Sequence, residues 1–151
     1  DILVLNAATL GSLTPVVQVD PKELSQIFTL NVLAQQAMIA GFDEMLRKSE
    51  AGRLIALTSS VGRNPRAYWG AYGGSKAALE TMVEAYGEEV KNLSPIRTAI
   101  VDPGATATTM RANAYPGEDP ATLKSPDVVA DAIIDLLAGD FEAGHRLRVE
   151  S

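Results

Sequence analysis

The sequence predicts an α/β fold, a parallel β-sheet covered by helices on both faces. Three observations lead there. Ile2–Leu5 is apolar without a break, as in a strand buried on both sides, and Arg53–Leu57 and 95–101 read as two further strands. Between them lie segments long enough for helices, and helix-length crossovers bring each strand back parallel to the last. Asn6, Ser59 and Pro103-Gly104 fall where strands end, the carboxyl edge at which such sheets bind ligands.

In chain order, the first strand runs into Asn6-Ala7-Ala8, small residues that let a ligand approach the backbone. A loop with Gly11 and Pro15 comes next. Asp20-Pro21-Lys22-Glu23 is a helix start, with Asp20 as N-cap, Pro21 at the first position and Glu23 placed to close a capping box. Leu24, Ile27, Phe28, Val32, Leu33, Ala37 and Met38 form its apolar stripe, expected to bury against the sheet and a partner helix, with Asn31 inside the stripe. The second strand ends in Thr58-Ser59-Ser60. The loop 62–70 carries Arg63, Arg66, Tyr68 and Trp69, either substrate contacts or a solvated loop. A second helix over 72–92 is rich in small residues. The third strand stops at Asp102-Pro103-Gly104. The stretch 111–124 reads as a flap over a site or a plain loop. Ser125 caps a third helix with Pro126 at its first position and Gly139 beyond its end. A short strand, 147–149, closes the chain.

The 151 residues suffice for one domain, residues 1–151, with a real core. A formal net charge of −6 argues against nucleic acid and anionic membranes as partners. With no cysteine, disulfides and thiolate chemistry are excluded. His145 is the one histidine and cannot build a metal cluster, so no metal is expected. No apolar run approaches the roughly 20 residues of a membrane span, and no signal peptide is visible; a soluble, cytoplasmic protein is expected. The chain opens at Asp1 without Met and enters a strand at once, as though inside a domain.

The chemistry centres on Ser59, Tyr72 and Lys76. Tyr72 and Lys76 are four apart, hence neighbours on one helix face. An ammonium beside a phenol favours the phenolate, so the Tyr72 pKa is expected to fall toward neutrality, which suits general acid–base work. Most Tyr/Lys pairs at this spacing are surface decoration; Ser59, 13 positions before Tyr72 at a strand end, raises the functional reading above that background. Three polar groups could then surround one carbonyl or carbinol.

These motifs together resemble the short-chain dehydrogenase/reductase (SDR) family. Leu3-Val-Leu-Asn-Ala-Ala8 resembles its Asn-Asn-Ala-Gly segment, with Leu5 replacing the first Asn and Ala8 the Gly. Leu30-Asn31-Val32 resembles the helix bearing its active-site Asn, and Thr58-Ser59-Ser60 with Tyr72-x-x-x-Lys76 its Ser and Tyr-x-x-x-Lys signature. Pro103-Gly-Ala-Thr-Ala-Thr108 resembles the Pro-Gly segment near the nicotinamide. Spacing favours Ser59 over Ser60.

The resemblance implies a Rossmann-like doubly wound sheet and hydride transfer between NAD or NADP and a carbonyl/alcohol substrate. It implies Tyr72 as acid or base, Lys76 lowering its pKa and binding the nicotinamide ribose, Ser59 holding the substrate oxygen, and Asn31 placing a water in a relay to Lys76. Asn6 and Ala7 would shape the strand-end cofactor site, Thr106 and Thr108 would hold the carboxamide, and Pro103 and Gly104 its floor. A homodimer or homotetramer through the long helices is also implied. The family's glycine-rich phosphate turn and its NAD/NADP-selecting residue do not occur here. The chain is therefore expected to be the C-terminal, catalytic part of the fold, with the N-terminal nucleotide-binding half absent. Two other readings stand beside the reductase: a non-catalytic half-domain or interaction module that cannot hold cofactor, and an enzyme using the same Tyr/Lys pair for epimerisation or dehydration.

Overall fold

The computed structural model describes residues 1–150. Four parallel strands, β1 (Ile2–Leu5), β2 (Arg53–Leu57), β3 (Arg97–Asp102) and β4 (His145–Arg148), form one sheet in the order β1-β2-β3-β4. Leu3 pairs with Leu54, Ile55 with Ala99 and Val101 with Leu147. Between strands run α1 (Pro21–Phe28), a π-helical turn (Thr29–Leu33) leading into α2 (Ala34–Lys48), then α3 (Gly70–Val90), α4 (Thr109–Ala114) and α5 (Pro126–Ala138).

Strand side chains alternate between faces, and here both alternations are apolar. Leu54, Ala56 and Ile100 point to one face, where Ile39, Leu46, Leu79, Val83 and Val90 of α2 and α3 cover them. Ile55, Leu57, Ala99 and Val101 point to the other, covered by Val129 of α5 with Phe141 and Val149. Each fully buried Leu, Ile or Val contributes roughly 1.5–3 kcal/mol, so β2 and β3 anchor the domain. The parallel sheet covered on both faces, as the sequence predicts, is the observed architecture. β1 departs from it. Leu3 and Leu5 are buried, but Ile2 and Val4 are 54% and 42% exposed, because β1 is an edge strand outside the cover of α5.

The caps explain where helices start. Asp20 accepts from the Glu23 amide at 2.9 Å, with Pro21 at the first position. The Glu23 carboxylate does not return to Asp20 to close the box. It accepts from both the amide (2.9 Å) and hydroxyl (2.8 Å) of Ser12, and so ties down the loop after β1. Ser125 caps α5, accepting from the Asp127 amide at 3.2 Å. Gly139 lies beyond α5 as expected, but in extended backbone (φ −87°), not the left-handed cap conformation.

The π turn was not expected. An extra residue in one helical turn rotates the remainder of the helix about its axis, so burial passes from Ile27 to Asn31 and Val32, then to Gln35, Ile39 and Leu46. Leu33, Ala37 and Met38, assigned to the buried stripe, are exposed for this reason, and Leu24, before the turn, is exposed as well. With Leu30, Phe42 and Met45 they form a second, outward apolar strip.

Candidate active site

A cleft of about 690 Å³ opens at the carboxyl ends of β1, β2 and β3. Asn6 and Ala7 line it from the end of β1, Ser59 from the end of β2, and Pro103, Gly104, Thr106 and Thr108 from the segment after β3. Tyr72 and Lys76 enter it from the first turns of α3, and Trp69, Met110 and Arg111 complete the wall. Every residue assigned to the site from sequence lines this cleft except Asn31.

Two glycines permit the convergence. A Cβ on Gly73 would lie 2.8 Å from the Val61 carbonyl oxygen, and one on Gly62 3.2 Å from the Ala77 nitrogen. Without those side chains the turn after Ser59, Ser60–Gly62, packs directly on α3, and Ser59 is brought beside Tyr72 and Lys76. The Ser59 side chain does not cap that turn.

Lys76 is 2% exposed, and its ammonium donates to the Leu57 carbonyl at 2.9 Å, 5.8 Å from the centre of the Tyr72 ring. Burial lowers its pKa from 10.5 to about 8, opposed by the nearby Glu80 carboxylate. Burial pushes the Tyr72 phenol up to about 12, and the negative charge of Asp102 adds to the rise. The expected fall toward neutrality does not occur in the protein alone. Desolvation raises the cost of a phenolate, and the ammonium that would offset it is directed at Leu57 and is itself weakened by burial.

Asn31 is fully buried behind the cleft, on the π turn. Its Oδ1 accepts from the Thr9 amide (2.8 Å), and its Nδ2 donates to the Thr9 carbonyl (2.9 Å) and to Ser75 Oγ (2.9 Å). Ser75 Oγ in turn donates to the Tyr72 carbonyl at 2.7 Å. The amide thus ties the loop after β1 to the turn of α3 between Tyr72 and Lys76. Its side-chain contacts reach Ser75 rather than Lys76. Gln35 supports the same loop, donating to the Ala7 carbonyl at 2.9 Å.

Both threonine hydroxyls assigned to the cofactor also serve the backbone. Thr106 Oγ1 donates to the Pro103 carbonyl at 3.1 Å, and Thr108 Oγ1 caps α4 by accepting from the Arg111 amide at 3.1 Å. That cap turns part of the expected flap into a helix, and Arg111 is bound by Glu118 at 2.6 Å.

Sequence reasoning missed Glu80. One turn beyond Lys76, its side chain is 5% exposed and accepts from Thr58 Oγ1, Arg63 Nε (2.8 Å) and Arg146 Nη2 (2.5 Å). Burial acts to raise its pKa, but these three donors together hold it below the usual glutamate value. It fixes Thr58, next to Ser59, and joins α3 to β4. Its spacing of four from Lys76 was the available signal.

No helix of the described residues is long and apolar enough to cross a membrane. The short chain dehydrogenase family model matches residues 1–119. The chain is 37% identical over 135 residues to an uncharacterized oxidoreductase, YciK, of Escherichia coli K12, covering 89% of this chain and 53% of that protein. Its fold superposes on a short chain dehydrogenase of Shigella flexneri solved in complex with NADP, with a TM-score of 0.93 at 34% identity, covering all of this chain and 63% of the other. A counterpart from Escherichia coli CFT073, complexed with NADPH, gives 0.93 at 35% identity over the same shares. The chain thus spans about half to three fifths of the length of these relatives.

Proposed function

We propose, since this chain belongs to the short-chain dehydrogenase family, that its cleft is the active site of an NADP-dependent oxidoreductase that interconverts a small carbonyl compound and its alcohol. The observation that carries the reading is the meeting of Ser59, Tyr72 and Lys76 in one cleft at the strand ends. The preference for NADP rests on the two neighbours solved with that nucleotide.

The cleft fits the nicotinamide end of such a cofactor. Asn6, Ala7, Pro103 and Gly104 offer small side chains and backbone, and Lys76 offers a cation at the base. When bound, the cofactor supplies or accepts the hydride. The chain's own residues handle geometry and the proton. Ser59 Oγ donates a hydrogen bond to the substrate oxygen and orients it. The Tyr72 phenol gives its proton to that oxygen as negative charge develops there. A phenol held near 12 is protonated at neutral pH, which suits the reducing direction. Lys76 supports the phenolate left behind and binds the ribose. Asn31 is a positioning residue that holds the loop after β1 against α3. The outward apolar strip of α1 and α2 supports assembly as a homodimer or homotetramer, working in the cytoplasm.

Tyr72→Phe removes the proton donor while keeping the ring. The full-length protein carrying it should lose roughly 10²–10⁴-fold in kcat for NADPH-dependent aldehyde reduction, with its thermal unfolding little changed. Undiminished turnover would refute the assignment.

A further inference from the structure

We propose that the carbonyl substrate is neutral and carries a flat apolar group, most simply an arene, which Trp69 selects; the inference rests on the reductase reading above.

The cleft has two unlike sides. Asn6, Ala7, Pro103, Gly104, Thr106 and Thr108 form the side assigned to cofactor. Around Tyr72 the wall is made instead by Leu10, Trp69, Met110 and Ala114, brought from the loop after β1, the approach to α3, and α4. The carbonyl must sit at the Tyr72 phenol, so whatever it bears lies against this wall. Trp69 is the chain's one tryptophan. Its ring meets Tyr72 edge-on, with centroids 6.0 Å apart at 68°, and inclines over Tyr115 at 5.8 Å and 31°. The preceding residue, Tyr68, is 57% exposed and holds φ at 73°, a left-handed conformation uncommon for a bulky residue. Trp69 therefore lies between two aromatic rings, and flat ligands pair well with such a surface.

The charges of the cleft argue against an anionic substrate. It is lined by three charged residues, Lys76, Asp102 and Arg111. Lys76 donates to the Leu57 carbonyl and is otherwise assigned to the Tyr72 phenolate and the ribose. Arg111 gives two 2.6 Å bonds to Glu118 and lies 3.9 Å from the centre of the Tyr115 ring. Asp102 bonds the Gly104 amide and Arg148. A carboxylate or phosphate on the substrate would meet no free cation and would face Asp102. A polyhydroxylated substrate would leave hydroxyls unpaired against Leu10, Met110 and Ala114, which costs binding.

The test compares benzaldehyde, propanal and glyoxylate as substrates of the full-length protein with NADPH. Benzaldehyde should exceed glyoxylate by about 100-fold or more in kcat/KM, and Trp69→Ala should cut the benzaldehyde-to-propanal ratio by about 10-fold. Glyoxylate matching benzaldehyde, or a ratio unmoved by Trp69→Ala, overturns the inference and leaves the reductase reading standing. A second measurement needs no turnover. Benzamide, added without nucleotide, should change a fluorescence emission that is present in the natural protein and absent from Trp69→Phe, and acetate should not. No response to benzamide overturns the inference. A response in a protein that reduces no carbonyl keeps the arene site and removes the reductase.

Discussion

Replacing Lys76 with methionine should stabilise the fold at neutral pH and lose that advantage at pH 10. Burial holds the Lys76 pKa at about 8 against its ordinary 10.5. Each tenfold step in proton affinity is about 1.4 kcal/mol, so carrying the charge at pH 7 costs the folded state roughly 3 kcal/mol. The sign comes from a depressed folded pKa: stability is whole above 10.5 and is lost as pH falls toward and through 8. At pH 10 less than about 1 kcal/mol of the penalty remains. Methionine has similar length and no charge, but it orphans the Leu57 carbonyl that the ammonium binds at 2.9 Å, a loss of about 1–2 kcal/mol at any pH. The variant should therefore lead by about 1–2 kcal/mol at pH 7 and be level or behind at pH 10. Urea unfolding of the full-length protein without nucleotide, at both pH values, measures the two gaps. A variant less stable at pH 7, or a gap equal at both pH values, would refute the claim that this cation is held against its own solvation.

The remaining predictions concern the supports of the site. Asn31→Leu leaves the half-buried Thr9 amide and carbonyl without Asn31 as partner, so it should cost about 1–3 kcal/mol and remove hydrogen-exchange protection at Thr9. Gly73→Ala drives a Cβ to 2.8 Å from the Val61 carbonyl and should cost about 1–3 kcal/mol. Gly74→Ala meets nothing nearer than 3.8 Å and should gain about 0.5–1 kcal/mol from helix propensity; opposite signs by thermal unfolding confirm the geometry, and equal effects discredit it. Glu80→Gln weakens the bonds of Arg63 and Arg146, which keep Glu84 as a partner, and should cost about 1–2 kcal/mol at pH 7. Since the folded Glu80 pKa is lowered, its contribution is present above the ordinary value of 4.5 and fades as pH falls through the folded one, so the natural and Gln proteins should converge in acid.

The features legible in the sequence are those set by local rules. An unbroken apolar run such as Leu54-Ile55-Ala56-Leu57 states burial on both faces by itself, and Asp20-Pro21 and Ser125-Pro126 state helix starts because cap and first position are adjacent in sequence. The strand ends then deliver Ser59, Pro103 and Gly104 to one edge. The features that escape such reading depend on distant partners. Glu80 looks like any exposed helix carboxylate until Arg146, 66 residues away, is folded beside it. The π turn, beyond which Met38 faces outward, leaves no mark in composition. The Tyr72 pKa departs from expectation because adjacency to Lys76 is visible in sequence, whereas the direction of its ammonium toward Leu57 and the depth of burial are not.

The spatial order of the strands is also their order along the chain. Ile2 pairs with Arg53, Arg53 with Arg97, and Ala99 with His145, always the strand just made with the one before it. Among these four strands, each crossover therefore returns the chain to the edge left by the strand before it. The cleft matures in the same succession: Asn6 first, then Ser59 with Tyr72 and Lys76, and Pro103 with Gly104 only once β3 has docked.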